Sequence, residues 1–190
     1  MRIVAGAFKG IELISPPRHL TLRPTSNRVR EAIFDVIRFD ITGKTFLDLF
    51  AGSGAVGIEA ISEGIELAYF VEKNHEAVNT IFKNTKKFGI EKQVKIFKED
   101  VFKFLQNFNE DVLFDFVFLD PPYKTLLSNL TLEKLCFFKH LTEFSIVIAE
   151  HSMYGKLLDV YEGDFILRKF KEKKYGKIIV SFYIKEPKTD

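Results

Sequence analysis

Apolar residues along this chain alternate between short solid runs and stretches in which they recur every three or four positions, the rhythm of strands and helices taking turns. The runs at 45–49, 67–72, 94–98, 114–119 and 145–150 read as strands. Between them, 55–63, 74–88 and 101–108 carry helical spacing; the middle one is a stripe of Ala77, Val78, Ile81, Phe82, Thr85 and Phe88, with Lys83, Lys86 and Lys87 outward. Such alternation predicts an α/β fold with a parallel sheet. Ahead of it, 2–8 and 11–14 read as two strands of an N-terminal β-hairpin joined around Lys9-Gly10, with Pro16-Pro17 ending the second. A helix with Val29, Ile33, Val36 and Ile37 on one face and Arg28, Glu31, Asp35 and Arg38 on the other then follows the Pro24-Thr25-Ser26 break. At the far end, 165–175 and 177–185 read as an antiparallel hairpin turned at Gly176. Gly43 divides the hairpin and helix extension, 1–43, from a core at 44–190, and 190 residues suit one compact domain made of both.

Composition narrows the class. Apolar residues make up 46% of the chain, including 21 phenylalanines, which excludes a disordered protein. The single Cys136 rules out an internal disulfide and a cysteine-built zinc site, His19, His75 and His140 lack ligand spacing, and no metal is expected. Apolar runs stay well short of the ~18 residues of a membrane helix, and Lys9 interrupts the opening stretch too early for a secretory signal. No membrane association and a cytoplasmic location are the expectations. Net charge is only +2, but it is unevenly spread: residues 1–38 hold seven Lys or Arg against three acids, and 168–177 hold six against Glu172 alone. Two basic clusters suit a polyanionic partner; the alternative for each is a solvated face.

The chemistry centres on residues 46–57. There the first strand runs into Phe50-Ala51-Gly52-Ser53-Gly54 and a helix follows. Glycines allow positive φ and close approach of a ligand, and a helix start offers unpaired N–H groups. Gly52, Gly54 and Gly57 spell GxGxxG, so a dinucleotide-binding oxidoreductase is one reading. Asp48, just before the turn, favours S-adenosylmethionine instead, because a carboxylate would repel a pyrophosphate but can take the cofactor's ammonium. Glu72, ending the second strand, is placed to accept both ribose hydroxyls of an adenosine on either reading. Asp100, after the third strand and followed by Val101, is placed for the adenine amino group or as a helix N-cap.

The fourth strand leads into Asp120-Pro121-Pro122-Tyr123. Two prolines remove two N–H donors, so the turn presents acceptors, the Asp120 carboxylate and the Pro121 carbonyl, with an aromatic ring beside them. Such a set complements a planar NH2 group, and a dinucleotide-binding enzyme has no use for it.

Asp-Pro-Pro-Tyr resembles the amino-methyltransferase signature. Together with Arg23-Pro24-Thr25, Arg28-Val29-Arg30-Glu31, Ile33-Phe34 and Leu47-Asp48-Leu49-Phe50-Ala51-Gly52-Ser53-Gly54, it makes the chain similar to the RsmD family over essentially its whole length. Asn27 stands where an acid is common, and Glu72-Lys73-Asn74 is a variant of the usual acidic strand end. The resemblance implies a Rossmann-like, seven-stranded class I S-adenosylmethionine-dependent methyltransferase sheet, and transfer of a methyl group to the exocyclic N2 of one guanine in 16S ribosomal RNA of the small subunit. An adenine N6 target on DNA or RNA is the nearest alternative. It implies catalytic Asp120, Pro121, Pro122 and Tyr123, and a cofactor held by Asp48, Gly52, Gly54, Gly57, Glu72, Asp100 and Val101. RNA contacts are expected from Arg23, Arg28, Tyr123, Lys171, Lys173 and Lys174, and a monomer is expected. His151, at the end of the fifth strand, reads as structural.

Overall fold

The computed structural model describes residues 1–17, 19–20, 25–122 and 126–188. One sheet of eight strands runs in the order β3-β2-β1-β4-β5-β8-β7-β6. Its parallel half comprises β1 (Thr45–Leu49), β2 (Leu67–Val71), β3 (Val94–Phe97), β4 (Phe114–Leu119) and β5 (Leu141–Ser152). β6 (Val160–Glu162), β7 (Ile166–Tyr175) and β8 (Ile178–Glu186) add the antiparallel half, with β8 against β5. The seven anticipated strands are present; β6, three residues long, is an eighth at the edge, too short to leave a periodic trace.

The solid apolar runs follow from burial of both faces of the sheet, as expected for parallel strands with crossover helices. Phe46, Phe116 and Ile148 face one side, where α1 (Asn27–Ile37), α2 (Ala55–Glu63) and α3 (His75–Phe88) supply Ile33, Ile58 and Ile81. Leu47, Val117 and Val147 face the other, covered by α4 (Val101–Asn107) and α5 (Leu127–Leu135) through Phe104 and Leu132. Within the α3 stripe, Phe82 is exposed and Asn84 takes a buried place instead. Ile3, Leu13 and Val29 of the N-terminal extension belong to the first of these cores.

That extension departs from the expected hairpin. In place of strands over 2–8 and 11–14 there is a short antiparallel pairing, the bridge of Arg2 to Glu12 with Ile3 N donating to Ile11 O and Leu13 N to Met1 O, and a 3-10 turn at Gly6–Phe8. The reason lies in α2. Glu59 Oε1 accepts the N–H groups of Val4 and Ala5, both at 2.8 Å, and Ser62 Oγ accepts that of Phe8 at 2.9 Å. Helix side chains thus satisfy donors that a second strand would otherwise have to meet. Gly6 has φ +76, and a Cβ there would sit 1.9 Å from the Ser62 carbonyl oxygen, so the segment lies against α2 without room for a side chain. Arg30, fully buried, closes the arrangement: its guanidinium pairs with Glu59 Oε2, and Nη2 donates to the Arg2 carbonyl and to Asn27 Oδ1. The Glu59 carboxylate and two further acceptors meet the two terminal nitrogens of the buried cation, while its Nε has no partner among the described residues.

Candidate active site

Strand order reverses between β1 and β4, which are adjacent and parallel, and open α/β sheets bind ligands at the carboxyl ends of strands at such a point. A cleft of about 810 Å³ lies there. It is lined by Asp48, Gly52, Glu72, Asp100, Val101 and the Asp120-Pro121-Pro122 turn, so most of the predicted site converges on one space. Its far wall is the N-terminal segment Ser15-Pro16-Pro17 with Leu20 and Thr25. Arg23 and Tyr123, both expected at the site, lie outside the described residues.

The glycines divide their work. After β1 the chain bends through three positive-φ residues, Phe50 (+62°), Gly52 (+55°) and Gly54 (+77°). Phe50 is the single non-glycine residue with positive φ among those described, and it lines the cleft. Left-handed backbone at a residue with a Cβ costs about 1 to 2 kcal/mol, and such strain gathers at functional sites. At Gly52 a Cβ would meet nothing within 4 Å, so this glycine borders open space in the cleft. Gly54 and Gly57 are not among the cleft-lining residues. Gly54 is the N-cap of α2 in left-handed conformation, and Gly57 lets α2 press onto β2, where a Cβ would lie 2.4 Å from the Phe70 ring. Of the three glycines expected at the cofactor, Gly52 is the one that lines the cleft.

Two carboxylates brace the turn. Glu72 is almost fully buried, and it accepts from Gly52 N at 2.9 Å and Asn74 N at 2.7 Å, one bond to each oxygen. Each oxygen keeps a second lone pair. Asp48 is 1% exposed; its Oδ2 accepts from Gly57 N at 3.0 Å, and its Oδ1 is buried with no partner. Burial, with a smaller push from the Glu72 charge against the pull of the Gly57 bond, raises the Asp48 carboxyl to about 8. An orphaned, buried carboxyl oxygen at a ligand cleft is the feature a cationic ligand group would satisfy. Asp100 is the N-cap of α4, its Oδ1 accepting from Phe102 N at 2.9 Å, yet it is exposed at the cleft wall and retains Oδ2.

Asn84 gave no signal in sequence, because it interrupts an apolar stripe with a residue common on helix surfaces. It is fully buried on α3, accepts from Ile14 N at 2.7 Å, and donates to Ile14 O at 3.0 Å and Ser53 O at 3.2 Å. One side chain thereby ties the glycine turn to Ile14, where the chain leads into the Ser15–Pro17 wall.

Of the basic residues, Arg28, Lys171, Lys173 and Lys174 are not among those lining the cleft. Arg28 lies over the Tyr175 ring, 5.5 Å from its centroid, and Lys173 Nζ reaches the Ala32 carbonyl of α1 at 3.5 Å. Because β8 is antiparallel to β5, the β7–β8 turn at Gly176 sits on the same carboxyl edge of the sheet as the cleft. The second basic cluster and α1 thus form a rim beside the site.

The family model described as conserved hypothetical protein 95 matches residues 1–184. The ribosomal RNA small subunit methyltransferase D of Buchnera aphidicola subsp. Baizongia pistaciae is 32% identical over 187 residues, spanning 97% of this chain and 91% of that one. Among solved structures, the Escherichia coli protein yhhF superposes with a TM-score of 0.85 at 26% identity, covering 99% of both chains. An RNA methyltransferase from Salinibacter ruber in complex with S-adenosyl-L-homocysteine shares the fold, with a TM-score of 0.64 at 18% identity over 88% of this chain and 97% of that one.

Proposed function

The chain belongs to the RsmD family and has the fold of class I S-adenosylmethionine-dependent methyltransferases, and from that premise we propose that it methylates the exocyclic N2 of a guanine in 16S ribosomal RNA of the small subunit. One observation carries the reading: the Asp120-Pro121-Pro122 turn opens into the same cleft as Gly52, Glu72 and the unpartnered oxygen of Asp48. An acceptor turn for an amine and a nucleoside site thus share one space. A dinucleotide-dependent oxidoreductase leaves that turn without a task.

S-adenosylmethionine supplies an electrophilic methyl group on its sulfonium. Asp48 would take its ammonium, Glu72 its ribose hydroxyls and Asp100 its adenine edge, with Val101 against the ring. The guanine amine is a weak nucleophile because its lone pair is delocalised into the base. Hydrogen bonds accepted by Asp120 and the Pro121 carbonyl favour a pyramidal nitrogen whose lone pair is free to attack, so positioning and electrostatics carry the rate. The proton can leave after transfer, and no strong base is required. A paired, stacked guanine cannot bring N2 into a cleft, so the target is unpaired or flipped out. The carboxyl-edge rim of Arg28, Lys171, Lys173 and Lys174 suits the phosphates of such a strand.

The test is transfer of labelled methyl groups to small subunits from a strain lacking this gene and from its parent, followed by nucleoside analysis. Label should enter only the former, as N2-methylguanosine; label in N6-methyladenosine, or none, overturns the reading.

Glu72→Ala should lower affinity for S-adenosylhomocysteine by about tenfold or more, the scale of a lost charge-assisted pair of hydrogen bonds. Since Glu72 also holds Gly52 and Asn74, the variant should melt at a lower temperature than the parent. Calorimetry and thermal melting measure the two effects, and an unchanged affinity would remove Glu72 from the ribose site.

A further inference from the structure

The turn that follows β5 has no part in the cofactor cleft, yet it is built with care. His151, buried at the strand end, has its Nδ1 2.8 Å from the Gly155 carbonyl and 3.1 Å from that of Ser152. Both neighbours are acceptors, so Nδ1 carries the proton and donates. Asn129 of α5 donates to the Lys156 carbonyl at 3.2 Å, and Asn129 is itself held by the buried Tyr161 hydroxyl. Met153 N donates to Lys177 O at 2.9 Å, which ties the turn to the β7–β8 tip. Residues 152–156 are therefore fixed from three sides.

What this frame displays is an aromatic ring. Tyr154 is 78% exposed, as are in part its neighbour Met153 and, four residues on, Leu158; Lys156, two residues on, and Lys177, whose carbonyl accepts from Met153 N, are exposed too. A rigid turn that spends a buried histidine and a buried tyrosine on presenting an open ring is organised for contact, since a contact surface fixed in advance loses less entropy on binding.

Its position names the partner. The pairing of Leu119 with Ala149, continued to the strand ends, sets Asp120-Pro121-Pro122 beside residues 150–152. Tyr154 thus lies in a turn that leaves the same carboxyl edge of the sheet as the acceptor turn, from the neighbouring parallel strand. Asn129, which grips the turn, lies two residues from Leu127 of the cleft wall. On the other flank the surface continues through Lys177 to Tyr175 and Arg28. An open aromatic ring with exposed lysines in the same turns, on the sheet edge that carries the cleft, matches a single-stranded nucleic acid: bases stack on the ring and phosphates meet the cations.

Resting on the function proposed above, we infer that Tyr154 is a stacking platform for a nucleotide flanking the methylated base, and that the 152–156 turn is a substrate-binding surface for single-stranded RNA. The histidine at the end of β5 then acts through this turn and does not touch the reacting atoms.

Tyr154→Ala and Tyr154→Phe, compared with the parent on unmodified small subunits, decide the matter. Tyr154→Ala should raise the KM for subunits by about tenfold, the scale of one lost base–aromatic stack, with kcat at saturation and S-adenosylhomocysteine affinity unchanged. Tyr154→Phe keeps the ring and should behave as the parent. Equal KM values for Tyr154→Ala and the parent would overturn the inference, as would a loss confined to kcat. A sedimentation change in Tyr154→Ala, with KM unaltered, would make the surface a contact between copies of this chain instead. If the parent transfers no methyl to RNA, the underlying function fails first, and that outcome is visible before any variant is compared.

Discussion

Asp120→Ala is expected to lose methyl-transfer rate by about 10²-fold or more while its affinity for S-adenosylhomocysteine falls by much less. The separation follows from placement. Asp120 follows β4, on a different strand from the residues assigned to the cofactor, and the substitution leaves the Gly52 turn, Glu72 and Asp100 in place. On the function proposed above it removes an acceptor for the nitrogen that becomes positive as the methyl arrives, an interaction stronger in the transition state than in the ground state. Single-turnover kinetics at saturating RNA isolate that step from binding. Asp120→Asn should be milder, because its amide oxygen still accepts a hydrogen bond. A near-parental rate in Asp120→Ala with only weaker RNA affinity would reduce the turn to a base-binding platform.

The parts of this site that sequence made legible are those whose chemistry is local. A strand of both-face apolar residues, a glycine turn and a helix start lie within twelve consecutive positions, and β1, α2 and β4 fall on their expected residues. Asp100 could be read both as a cap and as a cleft residue because capping depends on its own next two N–H groups. What escaped depends on partners far along the chain. The N-terminal segment alternates like a hairpin, yet the N–H groups of Val4, Ala5 and Phe8 are taken by Glu59 and Ser62, more than fifty residues away. Arg30, next to Glu31 of the charged face and identical in kind to Arg28, is buried because Glu59 awaits it, while Arg28 is exposed over Tyr175. Nothing in the local pattern distinguishes the two arginines. Asn84 illustrates the same limit from the other side, since its two partners, Ile14 and Ser53, come from separate elements that only the fold brings together. Gly57 was assigned to the ligand on motif grounds, whereas its need for a missing Cβ comes from Phe70 on the neighbouring strand.

Asp48 carries the second large effect, and its sign differs from that of an ordinary carboxylate. In the folded protein burial raises its pKa from 3.8 to about 8, so the ligand-free site is mostly protonated at neutral pH. Between those two values the folded state holds more protons than the unfolded chain. This contribution to stability is therefore complete at acid pH and is lost progressively as pH rises towards about 8. A cofactor ammonium placed beside the unpartnered Oδ1 reverses the balance, because an adjacent cation favours the ionised form. Binding below the pKa must then expel a proton. S-adenosylhomocysteine affinity should rise between about pH 6 and about pH 8, by at most about tenfold per unit, and then level off. At neutral pH, calorimetry in buffers of different ionisation enthalpy should count close to one proton released per cofactor bound. Asp48→Asn keeps the size of the side chain and an acceptor for Gly57 N–H but cannot ionise. It should flatten the dependence of melting temperature on pH in the same window, abolish the proton release, and bind S-adenosylhomocysteine about tenfold or more weakly for want of the charge pair. Proton release that persists in Asp48→Asn would assign the titrating group elsewhere, and an unchanged affinity would leave the buried oxygen without its cationic partner.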